Sequence, residues 1–184
     1  MECRIAVFSE GFHAVTTGKV RANGTAIVEA SGDAVVCAYD HSHVEASDHV
    51  EVRASGCATI TARDSAVVRS YDAAKVRGFD HAMVRAYGGT VQATGYVIVW
   101  AFGDAEVYAA RSATVAAEGI VTVHAGEDAI VVAGDCTTVY ASGGAFVRAY
   151  GRARVMAFTG HYGTIACSEY AAIVDGTEPE AVTA

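Results

Sequence analysis

Proline is almost missing from this chain: the 184 residues include one, Pro179, close to the end. Proline deletes a main-chain donor and fixes φ, so its absence leaves the rest of the sequence free to form unbroken hydrogen-bonded ladders. Charge is also sparse, at 18%, while hydrophobic residues make up 52%. That balance excludes a disordered tail and fits one folded domain. Basic residues are outnumbered, 13 Lys and Arg against 21 Asp and Glu, for a net charge of -8. A generic nucleic-acid binder needs the opposite excess to neutralise phosphates, so nucleic acid is not an expected partner. No stretch approaches the roughly 20 consecutive apolar residues that span a bilayer, and Met1-Glu2-Cys3-Arg4 does not lead into a signal-type apolar run. The expectation is a soluble, cytoplasmic protein with no membrane partner.

Paired cysteines are lacking as well. Cys3, Cys37, Cys57, Cys136 and Cys167 are odd in number, scattered, and free of any CxxC. This suits neither a disulfide framework nor a zinc site and points to reduced thiols, with an intermolecular disulfide as the alternative. GxSxG, a phosphate loop, a dinucleotide fingerprint and HExxH are all absent. Neither catalysis nor a cofactor is expected.

What the sequence does contain is a repeat. A branched aliphatic residue recurs every eight positions: Val20, Val28, Val36, Val44, Val52, Ile60, Val68, Val76 and Val84, then, after one seven-residue step at Gly88-Gly89, Val91, Val99, Val107, Val115, Val123, Val131, Val139, Val147 and Val155. Degenerate units follow at Ile165 and Ile173. Alanine usually stands two residues before and after each anchor, and Gly or Asp four residues after it. Period-two alternation followed by a turn residue is a short strand plus a bend, not a helix. One such unit buries too little to be stable alone, so the units must stack, each strand bonding to its equivalent one coil away. The expected fold class is an all-β parallel β-solenoid.

The outward positions decide how many octads make one coil. In alternate units the residue before the anchor is Lys19, Val35, Glu51, Val67, Met83, Ile98, Thr114, Ile130 or Phe146, which is mostly apolar. In the other units it is Ile27, His43, Thr59, Lys75, Thr90, Glu106, Thr122, Thr138 or Arg154, which is mostly polar. Aromatics three residues after the anchor follow the same split. A three-sided β-helix with 24-residue coils, the alternative, would scatter these residues over all faces. Two octads per 16-residue coil, in about ten coils, is therefore expected, with a length of roughly 45 to 50 Å at normal strand spacing. Residues 1–17 are read as an N-terminal cap with Phe8 and Phe12 covering the first coil, 18–155 as the repeat, 156–174 as degenerate closing coils with Phe158, Tyr162 and Tyr170 as a lid, and 175–184 as a loose tail.

The phrasing Ala82-Met83-Val84-Arg85-Ala86-Tyr87-Gly88 and Ala145-Phe146-Val147-Arg148-Ala149-Tyr150-Gly151 resembles uncharacterised octapeptide-repeat proteins of bacteria and their phages, over residues 18–158. The resemblance implies a fold and no activity. Two units per coil is also similar to calcium-binding β-rolls, but their Gly-Gly-x-Gly-x-Asp nonapeptide is missing here.

The apolar class places Val67, Met83 and Ile98 on consecutive coils, beside a row of Arg69, Arg85 and Trp100 and a row of Tyr71, Tyr87 and Phe102. Contiguous apolar and aromatic surface of this composition marks an interface, and the expected partner is a second copy in a two-fold homodimer, with a heterologous protein as the alternative. The plainer reading is that the rows only brace neighbouring coils, with Arg85 over Trp100. The other face is read as the solvated side. Ice binding would need a regular hydroxyl lattice, which Lys75, Glu106 and Arg154 interrupt. His41, His43, His49 and His81 do not converge on one ion, and the bend aspartates, among them Asp40, Asp48, Asp64, Asp72 and Asp80, are expected to cap local turns rather than hold calcium. The expected function is a non-catalytic structural or protein-binding module. The runner-up is an anti-defence or DNA-mimic protein that occupies a nucleic-acid-handling enzyme, suggested by net acidity and a rod of suitable length.

Overall fold

A computed structural model describes residues 5–158, 163–168 and 171–176. Within them every regular element is a short strand, most of them four residues long, and all pairing is parallel. The strands alternate between two eleven-stranded sheets. The odd sheet runs from Ala6–Phe8 and Lys19–Ala22 to Ile165–Cys167, and the even sheet from Phe12–Val15 and Ile27–Ala30 to Ala172–Gly176. Partners in the middle of the stack are 16 residues apart, as in Val36↔Val52 and Val44↔Ile60. The molecule is thus a β-solenoid of about ten turns with two strands per turn, and the three-sided alternative is excluded.

The repeat dictates this geometry residue by residue. All eighteen anchors from Val20 to Val155 are buried, together with the alanines two places to either side except the half-buried Ala157. Val and Ala from both sheets fill the interior, and Ile60 is the largest fully buried side chain. Four residues beyond the anchor the backbone turns left-handed: φ is 55° at Gly24, 62° at Gly32, 55° at Asp40 and 56° at Asp48. Gly and Asp recur there because other residues adopt this conformation only at a cost. Arg111, at φ 58°, and Glu127, at φ 51°, occupy the same position without that tolerance. The seven-residue step leaves the stack intact. Gly89 supplies the left-handed turn in a bend one residue shorter, and Lys75↔Thr90 keeps the strands in register.

The bend aspartates bond differently from expectation. Their carboxylates reach back one coil instead of capping their own turn: Asp40 accepts from the Gly24 N–H at 3.0 Å, Asp48 from Gly32 at 2.9 Å and Asp72 from Gly56 at 3.2 Å. Stacking at the coil interval brings that N–H closer than any local donor, so the bends are laced along the solenoid axis.

At the N-terminus, residues 6–15 continue the stack, with Ala6↔Val20 and His13↔Val28 in register. Phe8 and His13 take inward positions and stack ring on ring, centroids 3.8 Å apart, over the end of the core. Phe12 aligns with outward Ile27 and is 63% exposed, so His13, not Phe12, is the second covering ring. At the other end Val147↔Ile165 and Val155↔Ile173 absorb the longer step as an 18-residue interval. Phe158 lies on the even sheet against Tyr140 rather than over the end. Tyr162, Tyr170 and residues 177–184 lie outside the described residues; Asp175 and Gly176, assigned above to the tail, belong to the last strand.

Candidate interaction surface

Register places the nine residues singled out above in one block of three rows. Val67↔Met83↔Ile98 form the first and Arg69↔Arg85↔Trp100 the second, on consecutive strands of the odd sheet. The third row stacks along the bend, Tyr71 on Tyr87 at 5.1 Å and Tyr87 on Phe102 at 5.3 Å, nearly parallel. The Arg85 guanidinium sits 5.4 Å from the centre of the Trp100 ring. Bracing of neighbouring coils is therefore real, yet it does not cover the block. Ile98 stays 39% exposed and Tyr87 45%. Rings stacked face to face along the axis turn their edges to solvent, which is where a partner would meet them.

The exposed apolar rows extend further than the block. Beyond Thr114, which interrupts it, the first row resumes with Ile130 and Phe146, both exposed. Tyr150 lies across Gly134, where a Cβ would stand 2.5 Å from its ring, and donates from its hydroxyl to Glu118, two coils away, at 3.3 Å. Partial burial first, and the Glu118 charge second, push the Tyr150 phenol above its ordinary value.

The same face carries a charge pattern that the net charge conceals. Its outward strand positions hold Lys19, Arg21, Arg53, Arg69, Arg85 and Arg148 against Glu51 alone. Many of the chain's carboxylates sit instead in the bends. The two ion pairs among the described residues both involve histidine, His43–Glu45 at 3.7 Å and His124–Glu106 at 3.6 Å. None of the odd-face arginines pairs with a carboxylate among the described residues.

The even face is less plain than its composition suggests. Tyr108, His124 and Tyr140 stand in register and stack at 4.6 and 4.9 Å. Beside them the small residues Thr94, Ala110, Gly126 and Ser142 leave an open trough of about 440 Å³ that ends at Phe158. The Tyr108 hydroxyl donates to Glu106 Oε1 at 2.7 Å, and that bond raises the Tyr108 pKa above its ordinary value. The 16-residue spacing 108, 124, 140 carries this ladder in the sequence, and the mostly polar composition of the face conceals it. Among the described residues no group of three His, Cys, Asp or Glu is close enough to share a metal ion, and no helix is long and apolar enough to cross a membrane.

Fold and surface together define a parallel β-solenoid repeat protein. No protein-family model, no curated protein and no solved structure matches the chain.

Proposed function

We propose that this protein is a non-catalytic, cytoplasmic interaction module that docks through the outer face of its odd sheet, onto a second copy or onto a partner protein. The observation that carries the reading is the unbroken row of Val67, Met83 and Ile98 beside exposed Tyr71 and Tyr87 on a flat, parallel-stranded face. Water contact with apolar surface of that extent is unfavourable by about 25 cal/mol per Å², which contact with a partner recovers. The DNA-mimic alternative needs a continuous acidic stripe, and the bend row Asp48, Asp64, Asp80 breaks at Gly95 and Arg111.

Light scattering tests the reading. The wild-type chain is expected to show a mass above 19.0 kDa at high concentration, and Met83→Lys or Tyr87→Glu should return it to the monomer without altering the circular dichroism. Association unchanged by both substitutions would remove the odd face from the interface.

A further inference from the structure

Arg53, Arg69 and Arg85 occupy equivalent outward positions on three adjacent strands, Arg53↔Arg69↔Arg85. Strand spacing sets their backbones about 4.8 Å apart. Like charges directly opposite one another on neighbouring strands are destabilising, and here the one carboxylate among the outward positions of this sheet, Glu51, stands at one end of the row and pairs with none of the three. The anion that fits such a row must repeat at the same interval, which is the interval of another stacked sheet. This chain carries that counterpart. Asp48, Asp64 and Asp80 hold the left-handed bend position on three successive coils, with φ of 56°, 54° and 56°, and all three are exposed. The carboxylates of Asp48 and Asp64 are held by backbone N–H groups of the preceding coil.

The match continues past the charges. On the next coil the arginine row passes to Trp100. On the same coil the bend passes from aspartate to Gly95 and Tyr96, which is 64% exposed and stacked on His81 at 5.4 Å. Three acids and then Gly95, with Tyr96 in the adjoining row, thus run level with three arginines followed by Trp100. We propose that copies of this chain pack side by side, axes parallel and coils level, with the Asp48–Asp64–Asp80 bend of one seated on the Arg53–Arg69–Arg85 row of the next. This rests on the odd face being the docking surface and names its occupant. A two-fold contact about an axis along the strands would set arginine against arginine instead. The contact is heterologous, an arginine row of one copy against an aspartate bend of another, so each pair leaves one row and one bend free to bind further copies. A nucleic acid could also meet the arginines, but the acidic bends flanking the face oppose a polyanion that the face alone would attract.

The test uses two full-length variants, R53E/R69E/R85E and D48N/D64N/D80N. Asparagine tolerates the left-handed turn and keeps the acceptor oxygen. By light scattering the wild type should show a mass that rises with concentration, and each variant alone should be a monomer. Their mixture should form a 1:1 dimer and stop there, because only one complementary pair of surfaces remains. Arg69→Ala and Asp64→Asn, each weakening association of the wild type, serve if a triple variant does not fold. A monomeric wild type, a mixture that stays monomeric, or association that survives D48N/D64N/D80N but not Met83→Lys would overturn this contact; the last outcome leaves the docking face standing. Association indifferent to Met83→Lys and Tyr87→Glu would overturn the docking reading itself. Retention of a single-stranded oligonucleotide by the wild type and not by R53E/R69E/R85E would assign the row to nucleic acid instead.

Discussion

At the residue scale, positions that break the repeat show what the repeat does. Ser70 stands where neighbouring strands have Ala54 and Ala86, is fully buried, and leaves its hydroxyl without a hydrogen-bond partner. Removing an unsatisfied buried hydroxyl is favourable, so Ser70→Ala should raise stability by about 1 kcal/mol in a denaturant titration. Arg111 is the reverse case, a wrong residue for its backbone rather than its surroundings. A left-handed φ of 58° costs a residue with a Cβ about 1–2 kcal/mol, and glycine's looser unfolded chain returns part of the gain. Arg111→Gly should therefore stabilise by about 1 kcal/mol, whereas the same change at Asp135, whose short side chain suits the turn, should gain less. Equal gains at the two sites would mean that side-chain type does not matter in the bend.

At the scale of single strands and bends, the interior is matched coil against coil. Val97 replaces the usual small residue two places before its anchor, and a Cβ built on Gly78 would stand 3.0 Å from the Val97 Cγ1. The missing methyl in the strand Lys75–Gly78 makes room for the larger side chain just before the strand Ile98–Ala101. Gly78→Ala should thus be unfavourable in the wild type and favourable in a Val97→Ala background, where the methyl refills the space and the strand loses a glycine. A coupling energy of about 1–2 kcal/mol in the double-mutant cycle is expected; independent effects would show that the two strands adjust separately. No feature of the repeat announced this pair, because Gly78 and Val97 read separately as two imperfect units.

At the scale of the whole molecule, the rod separates what the chain order suggests could meet. Cys57 and Cys136 are both exposed in bends on the same edge, but five coils lie between them, roughly 24 Å at strand spacing, against the 7 Å or less that a disulfide allows. Mild oxidation should therefore yield a covalent dimer on a non-reducing gel and no internal crosslink between these two, and Cys57→Ser with Cys136→Ser should remove most of that dimer. By itself the sequence determined the coil: eight-residue anchors, small flanking residues, turn formers at a fixed offset, and an alternation of outward side chains that makes sixteen residues one turn. It also placed Val67, Met83, Ile98 and their two companion rows side by side, since register in a regular stack is arithmetic. Only the tertiary structure decided that the bend carboxylates bond across coils, that His13 rather than Phe12 closes the first coil, that Tyr108, His124 and Tyr140 line a trough, and that an acidic chain shows one basic face. Each of these depends on distances between side chains or on where charge is spread around a section of the rod, and a one-dimensional repeat specifies positions without specifying those distances.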